Sequence, residues 1–253
     1  MNDEPSELRR AFRAGRGGTT AGLAPGYEQA NIAILPASYA TDFEAFCRAN
    51  ARACPLLAVG VAGDPALPAL GEGIDIRTDL PGYRIVEGGV AREQADIRDL
   101  WRDDLVTFAL GCSYTFEHAL MAAGIALRHV VLNRRVAMYR TSVANTACGP
   151  FGGTMVVSMR PIPRGQVAAA ETISARFASS HGAPVHAGDP AVLGIADIAR
   201  PDFGDPVPIA EGEVPVFWAC GVTSQVAIES ANLKLVIGHT PGSMLITDVR
   251  SRT

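Results

Sequence analysis

The sequence predicts an α/β fold in which a layered α/β domain, with a parallel or mixed sheet, carries an inserted smaller α+β domain. A strand-to-helix pattern occurs twice, at residues 106–120 and 214–228, and a region between the two copies follows a different pattern. Composition agrees, because 253 residues with 48% hydrophobic and 19% charged side chains can bury a large core. We expect the layered domain at residues 1–130 and 200–253 and the inserted domain at residues 131–199.

Each copy of the strand-to-helix pattern is a short apolar run that meets glycine and then small or hydroxyl residues. The first copy runs from Val106 through Cys112, and the second runs from Val214 through Cys220. Such runs are typical of buried strands of the parallel type, and the residues after them can begin a helix. Helix N-termini present unpaired N–H groups and partial positive charge, so two of them together would bind a carboxylate or a phosphate.

The other elements follow from apolar periodicity and from breaks at glycine and proline. In the layered domain we expect a helix at 42–52, capped by Thr41, and strands at 31–36, 55–60, 74–79, 235–239 and 244–248. Phe43, Phe46 and Cys47 share one face of that helix, which predicts their burial. In the inserted domain we expect a helix at 163–177 and strands at 138–141 and 153–160.

Two charged segments call for separate interpretations. Residues 1–18 are polar and rich in arginine before a glycine-rich stretch, which predicts a mobile arm or an oligomer strap. Alternation over residues 74–79 places Asp75, Arg77 and Asp79 on one face, which is either solvated or part of a site.

Charge, hydropathy and cysteine usage exclude several functional classes. A net charge of −4 argues against a nucleic-acid partner, and the absence of a long apolar run argues against a membrane partner. Without a secretory signal pattern we expect a cytoplasmic protein, and the five cysteines, which form no C-x-x-C pair, should be reduced thiols. The apolar composition and the N-terminal arm favour a homo-oligomer.

Candidate site residues cluster around the two predicted helix starts and the following loops. The proton-transfer candidates are Glu117, His181 and His186, and the candidates for binding a small carboxylate are Cys112, Ser113, Arg140, Arg160, Cys220, Gly221 and His239. Each has a structural alternative: a first-turn glutamate favoured by the helix dipole, buried thiols, surface ion pairs and core histidines. His181, His186 and Asp189 could instead hold a divalent metal ion, although Gly182 and Pro184 exclude a regular helix between the rings.

Long segments of the sequence resemble the D-glutamate cyclase-like family of hydro-lyases. The resemblance extends from about Gly18 to Asp248 and is carried by residues 75–81, 101–104, 111–117, 138–141, 156–161, 181–186, 215–223 and 241–248. It implies a two-part α/β protein with an inserted domain, and an activity that eliminates water from a small carboxylate or amino acid.

The most concrete chemistry that the resemblance implies is cyclisation of D-glutamate to 5-oxo-D-proline, which requires no organic cofactor and no metal ion. For this reaction we expect Arg140 or Arg160 to hold a carboxylate and the two helix starts to stabilise the developing oxyanion. Glu117, with His181 or His186, would transfer protons. Two alternatives stay open: a metal-assisted hydrolase or dehydratase that uses the His181, His186 and Asp189 loop, and a binding protein for small carboxylates without catalysis.

Overall fold

Two antiparallel sheets organise the chain in the computed structural model, which describes residues 4–251. The strands are β1 (Tyr27–Pro36), β2 (Leu56–Val59), β3 (Tyr83–Glu87), β4 (Val90–Gln94), β5 (Leu105–Gly111), β6 (Ala137–Ala144), β7 (Thr154–Pro163), β8 (His186–Ala187), β9 (Glu213–Ala219), β10 (Leu235–His239) and β11 (Leu245–Arg250). The helices are α1 (Pro5–Arg13), α2 (Ala40–Ala49), α3 (Tyr114–Ala122), α4 (Arg128–Val131), α5 (Val167–Ala175) and α6 (Val222–Ser230). The predicted α/β class is confirmed.

The larger sheet is built around β1. Its order is β2-β5-β1-β10-β3-β4, and β11 pairs with the first part of β1. On one side β1 pairs with β5 from Ala30 opposite Gly111 to Pro36 opposite Leu105. On the other side it meets β10 and β11. The carboxyl ends of β5 and β10 therefore lie on either side of the first half of β1.

The smaller sheet has the order β6-β7-β9-β8. It contains the predicted strands of the middle region, but it also contains β9, which the sequence assigned to the layered domain. The two copies of the strand-to-helix pattern therefore lie at the ends of strands that belong to different sheets. Every strand pairing within residues 4–251 is antiparallel, so the expectation of parallel-type strands is wrong. Both faces of β5 are buried, which removes the polar alternation that usually marks an antiparallel strand.

Apolar side chains pack on both faces of the larger sheet. Phe43, Phe46 and Cys47 of α2 are fully buried against one face, as predicted, and Phe43 meets Phe108 of β5 edge-to-face at 4.8 Å. Thr41 lies inside α2, so it does not cap this helix. A third cluster joins α3 and α5 to β9, where Trp218 is completely buried.

The arginine-rich N-terminal segment is a docked helix in the described residues, which corrects the prediction of a mobile arm. Leu8 and Phe12 of α1 are buried, and the Arg9 guanidinium, 2% exposed, donates to Asp248 at 2.7 Å and to the Ile246 carbonyl at 3.0 Å. Arg13 pairs with Asp79, which is fully buried. The predicted arm also includes residues 1–3, which lie outside the described residues.

The segment 74–79 forms turns rather than the predicted strand. Asp79 accepts the N–H of Asp75 at 3.0 Å and pairs with α1, while Asp75 pairs with Arg77 at 2.8 Å. The charged face of this segment therefore anchors the N-terminal helix. None of the helices in the described part of the chain combines the length and the apolar character that a membrane span requires.

Candidate functional site

A cavity of about 370 Å³ lies where α3 and α6 begin, beyond the ends of β5 and β9. Both copies of the strand-to-helix pattern contribute to its wall, and so does the end of β10. Its polar lining consists of Asn31, Cys112, Ser113, Tyr114, Arg135, His181, Asp202, Cys220, Gly221, Gln225 and His239. Apolar side chains, including Met138 and Phe203, cover the remaining wall.

The two helix starts have the same local arrangement. At each start the main-chain N–H of the first helical residue, Tyr114 or Val222, lowers the pKa of the preceding thiol, Cys112 or Cys220. Burial raises the pKa of Cys112 to about 12 and also raises that of Cys220, so both thiols stay protonated at neutral pH. They are small buried groups at the helix starts and poor nucleophiles.

Unpaired main-chain donors remain at both helix starts. Ser113 precedes α3 and Gly221 precedes α6, and within residues 4–251 their N–H groups donate no hydrogen bond to the backbone. Neither helix has a side-chain cap. Both α3 and α6 have nine residues, so each contributes a dipole whose positive end faces the cavity. The arrangement is suited to an anion.

The loop before His181 is pressed against the end of β5. A side chain at Gly111 would place its Cβ 1.7 Å from the Ser179 carbonyl oxygen, so only glycine permits this approach. The hydroxyl groups of Ser179 and Ser180 each donate to the buried Glu28 carboxylate at 2.7 Å. These contacts fix the loop on β1 and β5.

The same loop presents His181 to the cavity. The residue has a φ of +80°, a conformation that is uncommon outside glycine, and it is 2% exposed. Its Nδ1 lies 3.0 Å from the Arg52 carbonyl oxygen, which can only accept, so Nδ1 carries the proton and Nε2 carries the lone pair. Burial lowers the pKa of His181 to about 4; the Arg52 and Gly111 carbonyls oppose this, and the positive charge of Arg160 adds to the lowering.

A buried ion pair lies directly behind the first helix start. The Arg160 guanidinium is completely buried and donates to Glu117 Oε1 through Nε at 3.0 Å and through Nη2 at 2.5 Å. It also donates to the hydroxyl groups of Ser113 at 2.9 Å and Ser158 at 3.0 Å. His129 Nε2 lies 3.1 Å from the same carboxylate oxygen. The pair therefore fixes the start of α3 through Ser113.

This arrangement corrects two expectations. Arg160 cannot clamp a substrate, because Glu117, two hydroxyl groups and the rings of Phe116 and Trp218 enclose its guanidinium. Burial pushes the pKa of Glu117 upwards, but the charge of Arg160 and the hydrogen bond from His129 bring it down to about 2, so its carboxylate stays ionised. Glu117 borders an adjoining cavity of about 490 Å³ rather than the cavity between the helix starts.

Arg140 and His186 lie outside the cavity between the helix starts. Arg140 is 45% exposed, lies over the Phe203 ring at 5.1 Å and approaches Glu229 at 4.0 Å. His186 Nε2 meets the Asp189 carbonyl oxygen at 2.8 Å. The Asp189 carboxylate caps the next turn through the N–H of Ala191.

The metal alternative therefore gains no support from this loop. His181 and His186 engage different backbone carbonyls, and Asp189 is used as a cap. In the part of the chain that the structure describes, no three His, Cys, Asp or Glu side chains converge as metal ligands would.

The structure thus brings together six of the ten candidates at the cavity, namely Cys112, Ser113, His181, Cys220, Gly221 and His239. It also adds Asn31, which the sequence analysis did not identify. Asn31 donates to the Gly111 carbonyl at 3.0 Å and meets His239 Nε2 at 3.2 Å. A polar residue between Ala30 and Ile32, both buried in a central strand, was the signal that could have pointed to it.

Comparison with known proteins gives consistent results. A family model described as D-glutamate cyclase matches residues 106–248, which include both helix starts and the three histidines of the site and its loop. A protein of Verminephrobacter eiseniae is 57% identical over 97% of this chain and 90% of its own length. Proteins of Dinoroseobacter shibae and a Jannaschia species are 56% and 55% identical over 96% and 97% of this chain, and over 82% and 93% of their own lengths. All three bear the name "Putative hydro-lyase".

Proposed function

The chain belongs to the D-glutamate cyclase family, and from that premise we propose that it is a hydro-lyase that cyclises D-glutamate to 5-oxo-D-proline with loss of water. The observation that carries the proposal is the cavity in which two helix starts and His181 meet. The names of the relatives support elimination of water as the reaction class. The choice of D-glutamate comes from the family description together with the chemistry of the cavity.

The reaction determines what the cavity must do. The substrate nitrogen forms a bond to the γ-carboxyl carbon, and one oxygen of that carboxyl group leaves as water. An ammonium group with three hydrogens becomes an amide N–H with one, so two protons leave the nitrogen and two reach the departing oxygen. The site therefore needs an anion-binding region for two carboxylates and groups that carry protons between nitrogen and oxygen.

We assign the anion-binding region to the helix starts. The N–H groups of Ser113 and Gly221 donate no backbone hydrogen bond within the described chain and are supported by two helix dipoles. The arginine that borders the cavity, Arg135, pairs with Asp205 at 3.0 Å. One helix start would hold the α-carboxylate, and the other would hold the γ-carboxylate, where negative charge grows on oxygen as nitrogen attacks.

We assign removal of a proton from nitrogen to His181. Its ring is neutral at neutral pH, and Nε2 carries the lone pair because Nδ1 donates to the Arg52 carbonyl. A dicarboxylate bound beside the ring raises its pKa, which makes His181 a stronger base when substrate is present than when the cavity is empty. The close packing at Gly111 keeps the ring in place.

The experiment incubates the purified protein with D-glutamate, L-glutamate and each enantiomer of 5-oxoproline, followed by chiral chromatography. We expect enantioselective formation of 5-oxo-D-proline. The variant His181→Gln should lose at least about 100-fold in turnover, the usual contribution of a positioned general base. The matched control is His186→Gln, whose ring lies outside the cavity and which should retain the wild-type rate.

Two outcomes would contradict the proposal. The first is the absence of turnover by the correctly folded wild-type protein in either direction. In that case a rise in melting temperature with D-glutamate would identify a binding protein for small carboxylates. The second is equal turnover by His181→Gln and His186→Gln, with folding checked by circular dichroism.

A further inference from the structure

A network of hydrogen-bonding groups runs along one wall of the cavity and joins the ends of β5 and β10 through Asn31 of β1. Asn31 Nδ2 donates to the Gly111 carbonyl oxygen at 3.0 Å. Asn31 Oδ1 lies 3.2 Å from His239 Nε2, and His239 Nδ1 lies 2.8 Å from the Thr240 carbonyl oxygen. His239 is 5% exposed and borders the cavity.

While His239 is neutral, this hydrogen-bond network has one N–H donor too few for its acceptors. The Gly111 carbonyl, the Asn31 amide oxygen and the Thr240 carbonyl all accept. The Asn31 amide group supplies the donor for Gly111, and a neutral imidazole supplies one N–H for the two remaining oxygens. Rotating the Asn31 amide by half a turn would not supply the missing donor, because Oδ1 would then face the Gly111 carbonyl oxygen. A second proton on His239 satisfies every contact.

Packing holds the Asn31 amide in this position. A Cβ at Gly221 would lie 2.5 Å from Asn31 Nδ2, so the glycine at the second helix start makes room for the amide. The same amide bonds the end of β5 through Gly111. Asn31 is therefore fixed between the two helix starts, with its oxygen directed at His239.

We propose that His239 becomes an imidazolium when a dicarboxylate occupies this cavity, and that Asn31 is the positioning residue whose Oδ1 accepts the added Nε2–H. The role in catalysis rests on the proposed function. The added proton comes from solvent. Both N–H bonds of the imidazolium donate to protein oxygens, to Asn31 Oδ1 and to the Thr240 carbonyl, so the ring transfers no proton to the substrate. It instead places a positive charge beside the bound carboxylates, which favours substrate binding and the growth of negative charge on oxygen.

The surroundings of His239 favour a neutral ring while the cavity is empty. Burial lowers the pKa of His239, and the Thr240 carbonyl raises it. The ring borders both this cavity and a groove beside α6, and the titratable side chains lining the two are Arg84, Cys112, Tyr114, Arg135, His181, Asp202, Cys220 and Glu229. The resting enzyme therefore keeps His239 neutral, and the Asn31 oxygen offsets part of the cost of charging it.

The decisive experiment is an NMR titration of the full chain with isotopically labelled histidine, because it requires no turnover. His239→Gln identifies the His239 signal. In Asn31→Ala the oxygen that faces Nε2 is removed, so His239 should titrate at a lower pH than in the wild type. In Asn31→Asp a carboxylate replaces the amide, so His239 should titrate at a higher pH. Unchanged titration of His239 in both folded variants would overturn the proposal.

Turnover of D-glutamate provides the second measurement. His239→Gln should raise KM for D-glutamate by about 10-fold, because the variant supplies no positive charge to the bound carboxylates, and the pH profile of kcat/KM in Asn31→Ala should move in the same direction as the His239 titration. A wild-type KM in folded His239→Gln would overturn the role of His239 while leaving the proposed function intact. Absence of wild-type turnover would instead contradict the proposed function, and the titration would still decide whether Asn31 controls protonation of His239.

Discussion

Replacing Glu117 by glutamine should destabilise the protein by about 3 kcal/mol. The substitution keeps the shape of the side chain but removes the negative charge that faces Arg160. The Arg160 guanidinium is completely buried, and its hydrogen bonds to Ser113 and Ser158 do not replace a counter-charge. Breaking a buried ion pair from one side typically costs about 3–5 kcal/mol, since it leaves a buried charge without its partner.

The protonation behaviour of Glu117 leads to a similar magnitude. Burial alone would raise its pKa, but Arg160 and His129 hold it at about 2, compared with an ordinary value of 4.5. A carboxylate whose folded pKa is this low stabilises the fold by about 3 kcal/mol at neutral pH. Because the pKa is depressed in the folded state, this stabilisation is present above pH 4.5 and is lost as the pH falls towards 2.

The assay is urea or thermal unfolding of the wild type and Glu117→Gln at pH 7 and at several values down to pH 3. For a chain of this size, about 3 kcal/mol corresponds to a decrease in Tm of about 6–12 °C. The difference between the two proteins should narrow below pH 4.5. The matched control is Glu87→Gln, which removes an exposed pair with Arg92 at 3.1 Å and should cost less than about 1 kcal/mol. Equal effects of the two substitutions at pH 7 would refute the reasoning.

Three further predictions concern packing and reactivity. Gly111→Ala should lower stability by more than about 2 kcal/mol and turnover by about 10-fold or more, measured by unfolding and chromatography, because its Cβ would displace the Ser179 backbone. Asp79→Asn should lower the free energy of unfolding in urea by about 2 kcal/mol and speed proteolysis of α1, because Arg9 and Arg13 lose their buried carboxylate partner. A protease-resistant α1 in this variant would contradict the prediction. Cys112 should react slowly with iodoacetamide at pH 8 until urea unfolds the chain, because burial raises the pKa of its thiol to about 12.

The sequence was most informative about local structure and about the ends of the repeated pattern. Apolar periodicity located α2 and its buried face, and the two strand-to-helix copies led to the cavity because each copy begins a helix directly after a buried strand. Strand direction could not be obtained in the same way. β5 is covered on both faces, so its uniform apolar run is compatible with either parallel or antiparallel neighbours.

Side-chain partners far apart in the chain were the main source of error. Arg160 and Glu117 are separated by 43 positions, and nothing in either local pattern indicates that they pair. Asn31 and His239 are separated by 208 positions. The apolar residues Leu8 and Phe12 do mark a buried face on α1, but the arginines around them are equally typical of a solvated arm. Their partner Asp79 is distant in the sequence, so the pairing is visible only in the structure.

The position of β1 has a consequence for how this protein is made. The central strand β1 leaves the ribosome well before β10 and β11, which flank it on one side. Contacts of such long sequence separation carry a large loop-closure cost and slow folding. One edge of β1 therefore waits unpaired until β10 and β11 have been synthesised, and the cavity, which needs Asn31 beside His239, is completed only then.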